Sequence, residues 1–268
     1  MECIICKKES ELKFKSVGEV RCFLNPQEQP HVVIAKDQVE KAPSIYDCSN
    51  CHTRFVYPRK AENYEDVYKG ELYKANLEFS KKLTADEDPA WSLLSRGYQY
   101  YVVLDYLKGK PKMSFLDVGC GWGSMTYALN KMGYGGIGIE VSDTAVQFSR
   151  ETYGKYYSKS TLEEFKKLNP IFKFDLVFLL EVIEHVENPV ELFEQALNFA
   201  NKTLIVTTPD IDYFTRENPW GGEQPPIHLT FFSKKTMEYM ADKYNLKLSF
   251  TQFPGKEKVT TLGAIFEK

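Results

Sequence analysis

The sequence predicts an α/β chain: a doubly wound, mostly parallel sheet over residues 111–268, preceded by a small cysteine-bearing module at 1–60 and a helical bridge at 61–110. Three observations carry this. Strand-like apolar runs alternate with helix-period segments from Ser114 onward, a glycine-rich turn joins the first run to the first helix, and two CxxC pairs bracket the N-terminal module.

The pairs are Cys3 with Cys6 and Cys48 with Cys51, separated by a Pro- and Gln-containing stretch. Each pair puts two thiolates on one tight turn, and two such turns supply the tetrahedral sulfur cage that zinc favours. The expectation is a zinc ribbon with Cys3, Cys6, Cys48 and Cys51 as ligands. Four sulfurs leave no position for water, so the ion would hold the fold and do no chemistry. Cys22, His31, His52 and Cys120 read as ordinary packing or surface residues. In the bridge, Tyr64, Tyr68, Tyr73, Tyr98, Tyr100, Tyr101 and Tyr106 lie in helix-like segments that Asp86 to Pro89 interrupt. Aromatics at helical spacing point to core packing rather than to a lid.

The runs FLDV, GIGIEV, FDLVFLL and TLIVTT are apolar almost throughout, as strands covered on both faces are. Ser114–Val118 opens the series, and Met125, Ala128, Leu129 and Met132 recur on one helix face. A third strand is expected around Lys155–Ser158. Asn188 followed by Pro189 marks an N-cap and first helical position, ahead of an apolar face of Leu192, Phe193, Ala196, Leu197 and Ala200. Ser233 caps a helix carrying Met237, Met240, Ala241 and Tyr244. Between them, Pro209 to Pro226 is a long insertion with Trp220, Gly221 and Gly222, the kind of loop that is usually functional.

Composition narrows the partners. A net charge of −3 and a pI near 5.9 give no global pull toward nucleic acid or an anionic membrane. No apolar run reaches the ~18 residues of a membrane span, and the start lacks a signal-peptide core, so a soluble cytoplasmic protein with reduced cysteines is expected. A small-molecule partner moves ahead.

The turn itself selects among small molecules. Gly119, Gly121 and Gly123 space as G-x-G-x-G, where a dinucleotide site wants G-x-G-x-x-G; Ser124 stands at the missing glycine. The amides opening the helix are expected to favour polar ligand atoms. Glu140, ending GIGIE, would deliver a carboxylate to ribose hydroxyls. Asp117 beside the turn would repel a pyrophosphate but suits a ligand bearing an ammonium and a sulfonium. S-adenosylmethionine is such a ligand.

FLDVGCGWG, GIGIEVS and FDLVFLLEVIEHVENP resemble, in order and spacing, the motifs of the Rossmann-like class I S-adenosylmethionine-dependent methyltransferases across residues 110–255. The CxxC pairs and PPIHLTFFS resemble a bacterial branch that methylates sugars of nucleotide-linked or surface-polysaccharide origin. The resemblance implies that Asp117, Gly119 and Gly121 line the methionine end, Glu140 and Val141 the ribose, and Ser160, Thr161 and Leu162 the adenine, with Leu180 and Glu181 closing the pocket. A hydroxyl acceptor benefits from a general base, and His185, His228 and Glu181 are the candidates, with Glu184 behind them. Each has a competing reading: His185 as a turn-bonding residue, His228 as a helix cap, the two glutamates as solvated charges. The function expected is methyl transfer to an oxygen of a carbohydrate or its phosphoryl substituent. A ribosomal RNA methyltransferase and a non-catalytic binding protein are the alternatives.

Overall fold

The computed structural model describes residues 1–15, 44–61, 65, 68, 71–213, 227–256 and 259–268. Cys22, His31, Tyr64, Trp220, the side chain of Tyr73 and residues 214–226 of the expected insertion lie outside the described residues.

In chain order, β1 (Glu11–Lys15), β2 (Ser44–Asp47) and β3 (Arg54–Tyr57) come first. The bridge then folds as α1 (Glu71–Lys82), α2 (Pro89–Leu94) and α3 (Tyr98–Leu107). Next come β4 (Ser114–Val118), α4 (Ser124–Lys131), β5 (Gly135–Glu140), α5 (Asp143–Tyr153), β6 (Tyr157–Lys159), α6 (Leu162–Leu168) and β7 (Phe174–Leu180). The chain closes with α7 (Pro189–Phe199), β8 (Ala200–Pro209), β9 (Thr230–Phe231), α8 (Lys234–Lys243), β10 (Lys247–Phe250) and β11 (Thr261–Glu267). Helix starts follow side-chain chemistry: Ser142, Thr161, Asn188 and Ser233 each accept a backbone N–H of the first turn.

The main sheet has seven strands in the order β10, β11, β8, β7, β4, β5, β6. β4 to β8 run parallel, and β11 is antiparallel between β8 and β10. The chain leaves β4 toward β6 and returns to β7 on the other side of β4, so the strand order reverses between β4 and β7. Ligands of such sheets bind there, beyond the carboxyl ends of the strands.

Period-2 alternation explains the two cores. Phe115, Leu176, Phe178 and Ile205 share one with Val102, Val103 and Leu107 of the bridge. Leu116, Val118, Val177, Leu179 and Val206 share the other with Phe165, Phe193 and Met237, and with the four cysteines and Phe55. Phe115 and Phe178 stack at 5.7 Å; emptying such a site to Ala costs about 3–5 kcal/mol. Two expectations need correction. Met132 caps the end of α4 and is 37% exposed, because the helix stops before its face is complete. Ala200 begins β8 rather than extending the apolar face of α7.

The N-terminal strands make a second sheet, β1, β2, β3, β9, whose last strand comes from beyond β8. Arg54 pairs with Phe231 and Phe55 with Thr230, while the Thr236 hydroxyl donates to the Cys51 carbonyl at 3.0 Å. The cysteine module is therefore sewn onto the segment entering α8. Among the described residues, no helix is long and apolar enough to cross a membrane.

Candidate active site

The glycine turn leaves β4 with Gly119, Gly121 and Gly123 all at positive φ. A Cβ on Gly119 would stand 2.7 Å from Val182 and one on Gly123 2.4 Å from the Tyr157 ring, so both need glycine for space as well as for φ. Four amides of the turn itself, ahead of those that open α4, are engaged within the protein. Gly119 N and Cys120 N donate to Ile139 O, Gly123 N donates to Cys120 O, and Gly121 N donates to Glu140 Oε2 at 3.0 Å. Three of the four amides are bound to the end of β5 and the fourth within the turn, so none of these four is left to cradle a phosphate.

Glu140 is the hub of that arrangement. Its Oε2 accepts from Gly121 N and the Tyr68 hydroxyl, and its Oε1 from Val141 N and Ser142 N. Asp117 is 2% exposed and accepts from the Thr126 hydroxyl at 2.7 Å. Burial pushes its carboxyl up to about 7, with Thr126 opposing and Glu140 adding to the rise. Two adjoining cavities open at this edge, of about 220 and 230 Å³. The first is polar and includes Asp117, Gly119, Gly121, Leu180 and Glu181. The second is more apolar and includes Glu140, Val141, Ser160, Thr161 and Leu162. Tyr68, Gly119 and Glu181 border both, so the two are halves of one cleft. A purine suits the apolar half, and an amino-acid end the polar half.

Beyond β7 the chain turns sharply. Glu181 has φ +56, a strained conformation for a residue with a Cβ, held by its N–H donating to Thr207 O and Oγ1. Its Oε1 is buried with no hydrogen-bond partner among the described residues, and burial pushes the carboxyl up to about 7 against the opposing Thr207 hydroxyl. Glu184 is 1% exposed, and burial raises it well above the carboxylate range, with Glu181 adding to the rise. Reading the two as solvated charges is thus wrong. His185 does not bond the turn toward Asn188 through its ring; its Nδ1 lies 2.9 Å from Ile227 O, and burial holds the imidazole below its usual range. His228 stands against it, ring centroids 4.7 Å apart, and the cap of α8 is Ser233.

Sequence reasoning missed several residues here. Arg96 and Asn76 line the polar cavity, joined by a 3.0 Å hydrogen bond, and half-buried Tyr100 lines it too. They come from the bridge, whose tyrosines therefore divide between core and cleft. Arg59 is the other omission: its guanidinium donates to the carbonyls of Val186, Glu187 and Leu229 and to the Thr230 hydroxyl. Burial draws it down to about 10. No spacing rule marks a lone arginine, so only the fold reveals that it clamps two distant segments.

The four cysteine thiols are all buried, with Cys3 Sγ 3.5 Å from Cys51 Sγ and Cys6 Sγ 3.4 Å from Cys48 Sγ. All four sulfurs lie within 4.8 Å of one another. Bonds of ~2.3 Å in a tetrahedron put sulfurs ~3.8 Å apart, so this set fits a zinc ion.

A family model described as a methyltransferase domain matches residues 94–249, more than half of the 268 residues. The mitochondrial ubiquinone biosynthesis O-methyltransferase of Arabidopsis thaliana is 34% identical over 103 residues, which cover 36% of this chain and 32% of that protein. The ubiquinone biosynthesis O-methyltransferase of Rickettsia canadensis (strain McKiel) is 40% identical over 82 residues, covering 29% and 34%. The chain thus spans about a third of the length of these curated relatives. Among solved structures, the plantazolicin methyltransferase BpumL with a monoazolic desmethylPZN analog and SAH aligns with a TM-score of 0.53 at 15% identity, covering 76% of this chain and 93% of that one. Magnesium protoporphyrin IX methyltransferase from Synechocystis PCC 6803 with bound SAH aligns with a TM-score of 0.53 at 16% identity, covering 76% and 98%. At these identities the likeness is one of fold. The chain belongs to the methyltransferase-domain family and has the mostly parallel, seven-stranded fold of the class I S-adenosylmethionine-dependent methyltransferases.

Proposed function

We propose that the protein transfers a methyl group from S-adenosylmethionine to an oxygen of a small-molecule acceptor, a carbohydrate or its phosphoryl substituent. The observation that carries the reading is the cleft at the switch point, with a glycine turn tied to Glu140 and buried Asp117 beside it. In this reading Glu140 and Val141 hold the ribose, and Ser160, Thr161 and Leu162 border the adenine. Asp117, Gly119 and Gly121 take the methionine end, where Asp117 suits an ammonium and Arg96 a carboxylate. Leu180 and Glu181 close the pocket. When bound, the cofactor supplies a methyl group on a sulfonium that is already a good leaving group. Glu181 takes the acceptor's proton, since a carboxyl raised to about 7 is matched to that task at neutral pH.

The cysteine set would hold a structural zinc in a module spanning residues 1–60, followed by the bridge at 61–110 and the methyltransferase domain at 111–268. The 40% local identity to a ubiquinone biosynthesis O-methyltransferase favours a second acceptor, an oxygen of a ubiquinone precursor. Calorimetry with S-adenosylhomocysteine, followed by labelled methyl transfer to nucleotide sugars and to catechols, tests the reading. Binding and a labelled sugar are expected. A labelled catechol alone would change the acceptor class, and absence of S-adenosylhomocysteine binding would overturn the function.

A further inference from the structure

We infer that Arg59 is a positioning residue for the methyl-transfer step: it fixes the acidic turn of residues 181–187 against the segment entering β9, and so makes the reach of Glu181 depend on how the cysteine module is seated. The purpose this gives Arg59 rests on the methyl-transfer reading. The turn is anchored at three places. At its first residue, Glu181 N donates to Thr207 O and Oγ1; in its middle, Glu184 O accepts from Leu229 N and Thr230 N. At its end the anchor is Arg59, whose Nε donates to Glu187 O and whose Nη2 donates to Val186 O, both at 2.9 Å. The same guanidinium donates through Nη1 to Leu229 O at 2.6 Å and through Nη2 to Thr230 Oγ1 at 2.9 Å, so it also grips the residues that make the middle anchor.

All four acceptors are neutral oxygens. Taking a charge out of water to meet them is a costly way to fill space, and an apolar side chain would pack as well. What arginine adds is a rigid planar fork of five donors, which holds separate acceptors in one fixed geometry. The cysteine module delivers that fork. Phe55 of β3 pairs with Thr230, Val56 N donates to Leu229 O at 3.0 Å, and Ala61 N donates to Glu187 Oε1 at 2.9 Å. On the other side of β3, Cys51 Sγ lies 3.2 Å from Thr53 Oγ1, and that hydroxyl donates to Thr236 Oγ1 at 3.1 Å in the first turn of α8. The segment from Leu229 to Thr236 is thus held by the module at both ends, by Arg59 at its start and by Thr53 at its finish.

Strain at the other end of the turn makes the grip consequential. Glu181 has φ +56, and a non-glycine residue keeps such a conformation only where its surroundings over-determine it. Releasing Val186 and Glu187 removes one of the constraints, lets the backbone at Glu181 relax, and swings its carboxylate away from the acceptor. Glu181, Val182, His185 and Val186 all border the apolar half of the cleft, whereas Arg59 lines neither half. It therefore acts through the turn.

The test compares wild type, Arg59→Ala and Arg59→Lys as full chains by amide hydrogen exchange, by calorimetry with S-adenosylhomocysteine, and by labelled methyl transfer to UDP-glucose and to catechol as probes. In Arg59→Ala, protection is expected to fall at least about tenfold at the amides of Glu181, Leu229 and Thr230 while β4 and β5 keep theirs. Turnover is expected to fall about 10- to 100-fold with S-adenosylhomocysteine affinity close to that of wild type, and guanidinium at a sub-denaturing concentration to restore part of it. Arg59→Lys keeps the charge but not the fork, so it should fall between the two; it is the variant to read should Arg59→Ala not fold. Unchanged protection at the three amides would overturn the inference. A uniform loss across the chain, with turnover per folded molecule unchanged, would overturn it equally and reduce Arg59 to a structural part. Where neither probe is methylated, the exchange pattern decides. Protection lost only around the three amides, in a chain whose wild type refuses S-adenosylhomocysteine, would support the hold of Arg59 on the turn and overturn the methyl-transfer reading instead.

Discussion

Two acidic turns flank β4 at the carboxyl edge of the sheet, and they are built to opposite ends. At the end of β5, Glu140 has every acceptor position answered, by three backbone amides and the Tyr68 hydroxyl. Beyond β7, Glu181 and Glu184 leave buried oxygens without partners among the described residues, on a backbone strained at Glu181. A satisfied carboxylate is a fixture that shapes a site. An unsatisfied one keeps its capacity for a proton or a cation, which is how reactive groups are recognised.

The largest effect that would break this contrast is on turnover. Glu181→Gln removes the proton acceptor while keeping the shape, so turnover should fall about 10²- to 10⁴-fold with S-adenosylhomocysteine affinity nearly unchanged. Initial rates and calorimetry on the same sample separate the two. Turnover within a few-fold of wild type would return Glu181 to a purely structural part.

Next in size is the pH dependence of stability. Asp117 titrates at about 7 in the fold against an ordinary 3.8, so between those values the unfolded chain binds fewer protons than the native one. Stability from this group is complete below about pH 4 and is lost as pH rises through about 7, by up to about 4 kcal/mol. Glu181 acts in the same direction over the same window. Urea unfolding at pH 5 and pH 8 should show Asp117→Asn losing less stability over that interval than wild type. An unchanged difference would mean that Asp117 is solvated or paired well enough to ionise normally.

Glu140 tests the satisfied side. Glu140→Ala removes the acceptor for three amides, and S-adenosylhomocysteine binding should weaken by about 1–3 kcal/mol, as for other charged hydrogen-bond acceptors. Calorimetry showing wild-type affinity would detach Glu140 from the cofactor.

The sequence made these two turns unequally legible. β4, β5, β7 and β8 announce themselves by apolar runs, and Asn188 and Ser233 by local capping chemistry, because those signals are written within a few residues. Gly119, Glu140 and the four cysteines were readable as candidates for the same reason. What the sequence concealed depends on distant partners. Tyr68 meets Glu140 across 72 positions, Arg59 meets Leu229 across 170, and burial of Glu184 depends on a fold that no local pattern encodes. Hence a glutamate next to His185 reads as solvated until β9 pairs with β3 and brings His228 alongside.

Tyr68 gives the smallest expected effect and the sharpest one for the comparison. Three of the four donors on Glu140 are backbone amides fixed by the turn and by the start of α5, so a ribose hydroxyl seeking this carboxylate can displace only the fourth, the Tyr68 hydroxyl at 3.2 Å. Tyr68→Phe deletes that competitor and keeps the ring, which packs edge-on against Trp122 at 5.1 Å. A neutral hydrogen bond exchanged in this way is worth about 0.5–1.5 kcal/mol, so S-adenosylhomocysteine should bind about 2- to 10-fold more tightly to the variant. A melting temperature near that of wild type would confirm that the ring contact persists. Weaker binding would mean that the hydroxyl serves the ligand directly, and that the satisfied carboxylate opens by some other donor.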